Sequence, residues 1–148
     1  MASASGAAQR IMLATAIAGT LDILAAIGLT LFHGRPVAGM LRFVASGPFP
    51  GAKDMGAAGA MLGLVVHYAL MAIMAAAFVF AADRMPQLKQ NALLWGVLYG
   101  LATYVVMNLI VVPVRFGAPL PPSATAIVTQ LFCHIVLVGI PIALVTRR

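Results

Sequence analysis

Apolar residues along this chain gather into four long runs, at 11–32, 57–82, 92–112 and 125–145, with short polar segments between them. A helix rises about 1.5 Å per residue, so each run can cross a hydrocarbon core of about 30 Å. The pattern predicts an all-α integral membrane four-helix bundle. No polar stretch is long enough for a separate soluble domain, so 1–148 reads as a single transmembrane domain. Residues 1–9 are small and polar and are expected to fray. Arg10 followed by an apolar run imitates a secretory signal. The run is too long for a signal core of about 7–15 residues, however, and it carries an acid at its middle, so it reads as a retained span.

The connections carry their own signals. Between spans one and two, Pro36 suits the first position of a helix. Val37, Met40, Leu41 and Val44 then fall at helical spacing, with Arg42 on another side, until Gly47-Pro48-Phe49-Pro50-Gly51 ends the pattern. This predicts a short interfacial amphipathic helix at about 36–46, lying on the bilayer surface, with a re-entrant segment as the alternative. Span three is expected to stop at Pro113, before a run holding Pro119, Pro121 and Pro122 that cannot sustain helix. Pro141 lies inside span four and should kink it, which neighbouring helices can accommodate.

Three spans carry an ionisable residue near their middle: Asp22, His67 and His134. Counted from the span ends away from the termini, all three lie about 14–15 Å deep, close to the midplane. Tyr104 on span three lies about 12 Å deep by the same count, with Asn108 and Gln130 shallower. The faces agree with a shared interior. Thr15, Ala18, Gly19, Asp22, Ala25 and Ala26 form a small-residue strip on span one, where membrane helices pack closely. Gly96, Gly100, Tyr104 and Asn108 recur every four residues on span three. Gly59 and Gly63 lead to His67, with Met71 and Met74 continuing that side, and Gln130 sits one turn before His134. Asp22, His67, His134, Tyr104, Asn108 and Gln130 are therefore the candidate site residues.

That Asp–His–His cluster admits two readings. In the first, the groups hydrogen-bond one another and hold four helices in register. In the second, they do chemistry: Asp22 as a proton carrier or cation ligand, or His67 and His134 as an axial pair for haem or, with Asp22, as ligands of a transition metal. Met71 and Met74 beside His67 invite copper(I), although methionine at helical spacing is more often core. No cofactor is predicted, and haem or a metal stands only as the alternative. No catalytic motif appears, neither a Ser–His–acid pattern nor HExxH nor a phosphate loop, so no enzyme is expected. The single Cys133 excludes an internal disulfide. It also points about 100° away from its neighbour His134 on a helix.

Composition agrees with the membrane class, at 63% hydrophobic and 8% charged residues and a mean hydropathy of +1.06. The net charge of +6 is scattered over span ends, which suits topology anchors and not nucleic acid. Four spans put both termini on one side. That side holds Arg10, Arg84, Lys89, Arg147 and Arg148, against Arg35, Arg42, Lys53 and Arg115 on the other, so the positive-inside rule places the termini in the cytoplasm. His67 and His134 sit in comparable runs, but Asp22 has no counterpart in span three, and the case for an internal duplication is poor.

Gly19-Thr20-Leu21-Asp22, His67-Tyr68, Met107-Asn108 ahead of Pro113, and His134 followed by Val138-Gly139-Ile140-Pro141 together resemble small bacterial four-span inner-membrane proteins of the YagU-like grouping. The resemblance implies a bacterial inner-membrane protein and brings no activity or site residue with it. The expectation is a non-enzymatic multi-pass protein, structural or accessory, partnered by lipid and by further copies of itself or a larger complex. Proton-coupled transport of a small solute by an oligomer is the alternative beside haem or metal binding.

Overall fold

The computed structural model describes residues 4–148, which are helical almost throughout, with no strand among them. Span one is α1 (Ala4–Phe32), followed by a short α2 (Val37–Ala45) and a 3-10 turn (Pro50–Asp54). Span two is α3 (Gly56–Arg84), and α4 (Gln87–Gln90) leads into span three. Span three runs through α5 (Ala92–Tyr104), a π-helical stretch (Val105–Val111) and α6 (Val112–Phe116). Span four has the same construction: α7 (Ala124–Phe132), a π-helical stretch (Cys133–Gly139) and α8 (Ile140–Thr146). Among the described residues, four helices are long and apolar enough to cross a membrane, as the runs predict.

Two boundaries differ from expectation. The polar lead does not fray over its whole length, because α1 already begins at Ala4; Met1, Ala2 and Ser3 lie outside the described residues. Arg10 gives the lead a fixed point. Its Nε donates to the Gly6 carbonyl, and its two terminal nitrogens donate to the Asp83 carboxylate at 2.9 and 2.8 Å. Span three also continues past Pro113 to Phe116. The wider π register just before the proline opens the backbone where an α-helical carbonyl would meet the ring. The helix stops instead at Gly117, which takes the left-handed conformation (φ 64°) that closes a helix end.

Span one packs on spans two and four, and span three packs on span four. Spans three and four meet backbone to backbone. A side-chain carbon placed on Gly96 would lie 2.8 Å from the Ile140 Cα, and one on Gly139 would run into the carbonyl of Gly96. The span-three ladder of glycines therefore faces span four, as its spacing predicts. Alanines do similar work on the other spans, with Ala14, Ala18, Ala75 and Ala82 buried around Met71, Phe78 and Ile142.

This core fills the half of the bundle nearest the termini. The other half is loose. Neither α7 nor the π stretch of span three buries a residue, and α7 makes no substantial contact with span one.

α2 lies along the flank of span two. Gly63 sits under the Leu41 backbone and Gly59 under the Ala52 carbonyl, so a side chain at either would strike main chain. Gly63 lies two turns into α3, about 10 Å from its start. Gly63 therefore seats α2 and Gly59 the 3-10 turn that follows it, and the two do not join His67 on the bundle interior, contrary to the sequence reading. Arg115, at the end of span three, holds the far end of α2. Its Nε and Nη2 donate to the Gly47 and Ser46 carbonyls at 2.6 and 2.9 Å, where a cation also complements the helix dipole. Phe43 and Phe116 stack beside it at 4.4 Å.

Candidate functional site

Near the middle of the bundle, span one offers a bare main-chain surface at Gly19. Tyr68 of span two lies flat on it, so that a side-chain carbon there would be 2.8 Å from the ring. That close approach brings His67, one residue earlier, within 2.8 Å of the Gly19 carbonyl through its Nε2. A carbonyl only accepts, so Nε2 carries a hydrogen. The other ring nitrogen, Nδ1, faces the Asp22 Oδ2 at 3.9 Å, too far for a hydrogen bond. His67 is buried, whereas the Asp22 side chain keeps 22% of its surface exposed. The pair is thus aligned and open. Tyr68 closes one edge of it by bonding Thr20 Oγ1 at 2.9 Å.

His134 is arranged differently. Thr103 donates its only hydroxyl hydrogen to the Gly100 carbonyl at 2.9 Å, which leaves its oxygen as an acceptor. His134 Nδ1 lies 3.2 Å from that oxygen and must be the donor. Its Nε2 is then the acceptor, and the Asn108 amide fills it at 3.0 Å. Donors and acceptors alternate from Asn108 through His134 and Thr103 to the Gly100 backbone, and no lone pair or hydrogen of the imidazole is left over. Tyr104 packs its ring edge against the imidazole, with centroids 6.1 Å apart.

The predicted single cluster therefore resolves into two units: Asp22 with His67 between spans one and two, and His134 with Asn108, Thr103 and Tyr104 between spans three and four. Gln130 joins neither. It lies on the half of span four that diverges from span one, and it lines an open crevice of about 500 Å³ between the two helices. Thr30, His33 and Arg35 line the other wall, with Ser123, Thr125 and Thr129 beside Gln130. Asp22, Ala26 and Thr30 share one helical face, so Asp22 stands two turns below the crevice wall, where spans one and four come together. One turn beyond Gly19 toward the termini, the Thr15 hydroxyl is sealed from solvent with no hydrogen-bond partner.

Among the described residues, no three His, Cys, Asp or Glu side chains converge so as to share a metal ion. A ligand at His134 would have to displace the Asn108 amide, and the two imidazoles serve different helix pairs, which does not suit an axial haem pair. Thr103, Thr20 and Tyr68 were not legible as partners. A threonine or tyrosine in an apolar run carries no signal until its neighbour across the helix interface is known.

Fold and polar interior together define a class, an integral membrane protein of four spans with paired polar groups near mid-depth. Compared with known proteins, the chain matches no protein-family model, no curated protein and no solved structure.

Proposed function

We propose that this is a non-enzymatic inner-membrane protein in which Asp22 and His67 together take up and release a proton, linked to entry of a small polar solute into the crevice above them. The observation that carries the reading is the 3.9 Å alignment of Nδ1 on the carboxylate. Beyond the Nε2 hydrogen, the pair has a place for one more proton, on Nδ1 or on the carboxyl. Without it, a carboxylate stands in apolar surroundings, which is costly. The pair is close enough to share that proton through a small shift or one bridging water. Hydroxyl and amide groups line the crevice and suit a polar solute. The His134 chain has no such opening, and its role is structural.

The YagU-like resemblance and the five-to-four bias of cations support a bacterial inner membrane with cytoplasmic termini. Four helices enclose a narrow interior, so movement of a solute across it would involve further copies of the chain.

Infrared difference spectroscopy of the protein in lipid, through a step in pH, tests the proton site. Carboxyl and imidazole bands should appear and be lost in both Asp22→Asn and His67→Gln. They should persist in Thr103→Val. Bands unchanged in Asp22→Asn would rule the site out.

A further inference from the structure

At the end of the bundle that holds both termini, Arg10, Lys89 and Arg148 converge on one groove of about 510 Å³. Gln9 lies among them, and Leu13 and Val145 form the apolar part of the wall. One carboxylate, Asp83, serves two of these cations. It takes both terminal nitrogens of Arg10, and Lys89 Nζ at 2.6 Å. Arg10 is further fixed by the carbonyls of Gly6 and Thr146. Three cationic side chains meet a single side-chain carboxylate here, so the groove is basic. Beyond its bond to Asp83, Lys89 retains two N–H donors, and Arg148 brings a guanidinium fork to the groove lining.

The placement of these residues says what fits. Arg10 lies in the second turn of α1, Lys89 in the connection between spans two and three, and Arg148 just beyond span four, all at the bundle end where a bilayer crossed by the four apolar runs would place its headgroups. Leu13 sits nearly one turn further along span one. The groove therefore combines a cationic rim with an apolar wall about one turn further along the spans.

We infer that this groove binds an anionic phospholipid, with its phosphate on Lys89 and Arg148 and the upper part of an acyl chain along Leu13 and Val145. The Arg10–Asp83 pair is the platform that holds spans one and two together beneath the headgroup. This site is independent of the proton reading, because it lies at the opposite end of the bundle from the crevice.

Native mass spectrometry of the full chain in detergent, titrated with phosphatidylglycerol or phosphatidylcholine, tests it. Phosphatidylglycerol should bind more tightly. The Lys89→Gln/Arg148→Gln variant, which keeps the Arg10–Asp83 pair, should lose about fivefold in that affinity per cation removed and leave phosphatidylcholine unaffected. Arg148→Gln alone lies beyond the last helix and gives the same test, at about fivefold, without touching an ion pair of the fold. Equal binding of the two lipids, or an unchanged affinity in these variants, would overturn the inference. So would displacement of phosphatidylglycerol by inorganic phosphate at matched concentration, which would assign the groove to a free anion.

Discussion

Thr103→Val isolates the worth of the His134 chain. Valine keeps the shape of threonine and removes the hydroxyl that accepts from His134 Nδ1. The imidazole then has two options. It can keep its hydrogen on Nδ1, where a buried donor without a partner costs about 1–3 kcal/mol. Alternatively it can move the hydrogen to Nε2, which forces the Asn108 amide to turn its oxygen inward and leaves an unpaired lone pair at Nδ1. The second route limits the loss. Hydrogen bonds between membrane helices average about 0.6 kcal/mol and reach about 1.7, so a destabilisation of about 1–2 kcal/mol is expected. Thr146→Val is the matched control. Thr146 is equally buried, but its hydroxyl bonds only the Ile142 carbonyl one turn back in its own helix, so its loss should stay below about 0.5 kcal/mol. Trp95, the single tryptophan, packs against the core, and its fluorescence reports unfolding in mixed micelles titrated with denaturing detergent. If Thr103→Val were no more harmful than Thr146→Val, the alternating donor–acceptor chain would not be what holds spans three and four.

Two further perturbations probe the seams of the bundle. Gly63→Ala puts a carbon onto the Leu41 carbonyl, so the amides of α2 (Val37–Ala45) should exchange with deuterium at least about tenfold faster than in the parent as the helix lifts from span two. Gly28→Ala meets open space and should leave that exchange unchanged while stabilising the fold by about 0.5–1 kcal/mol. Asp83→Asn removes the shared partner of Arg10 and Lys89. With the carboxylate side chain 21% exposed, a loss of about 1 kcal/mol is expected in the same unfolding titration, shrinking at high salt as the pair is screened.

The spans were legible because hydrocarbon imposes length and apolarity together, and four runs met both conditions. Faces were legible where small residues recur every four positions. Gly96 and Gly100 point at span four, and Ala18 and Gly19 are buried, as their spacing indicates. Partners were less legible. Gly59 and Gly63 have the same spacing as the span-three glycines yet seat the connection between spans one and two, because α2 and its 3-10 turn compete with the other spans for that face. Gln130 is one turn from His134, but a turn matters where a helix is leaving its neighbour. The continuation of span three past Pro113 needed the π register, for which an apolar run carries no mark.

Counted along their spans, His67 and His134 stand at one depth, each with an acid or amide nearby, and that count alone would give them one task. Their surroundings separate them. His134 lies in the first turn of a π-helical stretch and meets Asn108, which lies in the other one, so the two altered helical segments are joined across the span three–four interface through a ring whose two nitrogens are both bonded. Turning either ring nitrogen to a ligand would undo an existing bond. His67 lies in regular helix, and Gly19 satisfies only its Nε2, which directs Nδ1 at a carboxylate it does not quite reach. A second hydroxyl there, as Thr103 supplies to His134, would have closed this pair as well. Its absence leaves Nδ1 and Asp22 with capacity for one proton. The span one–four interface beside them is the one that opens toward a polar crevice. The span three–four interface, bonded shut, thus contains one histidine, and the incompletely bonded pair between spans one and two contains the other. Under the proposed function, that pair is where proton binding changes the attraction between spans one and two, because a proton there creates or removes an ion pair instead of breaking a completed chain.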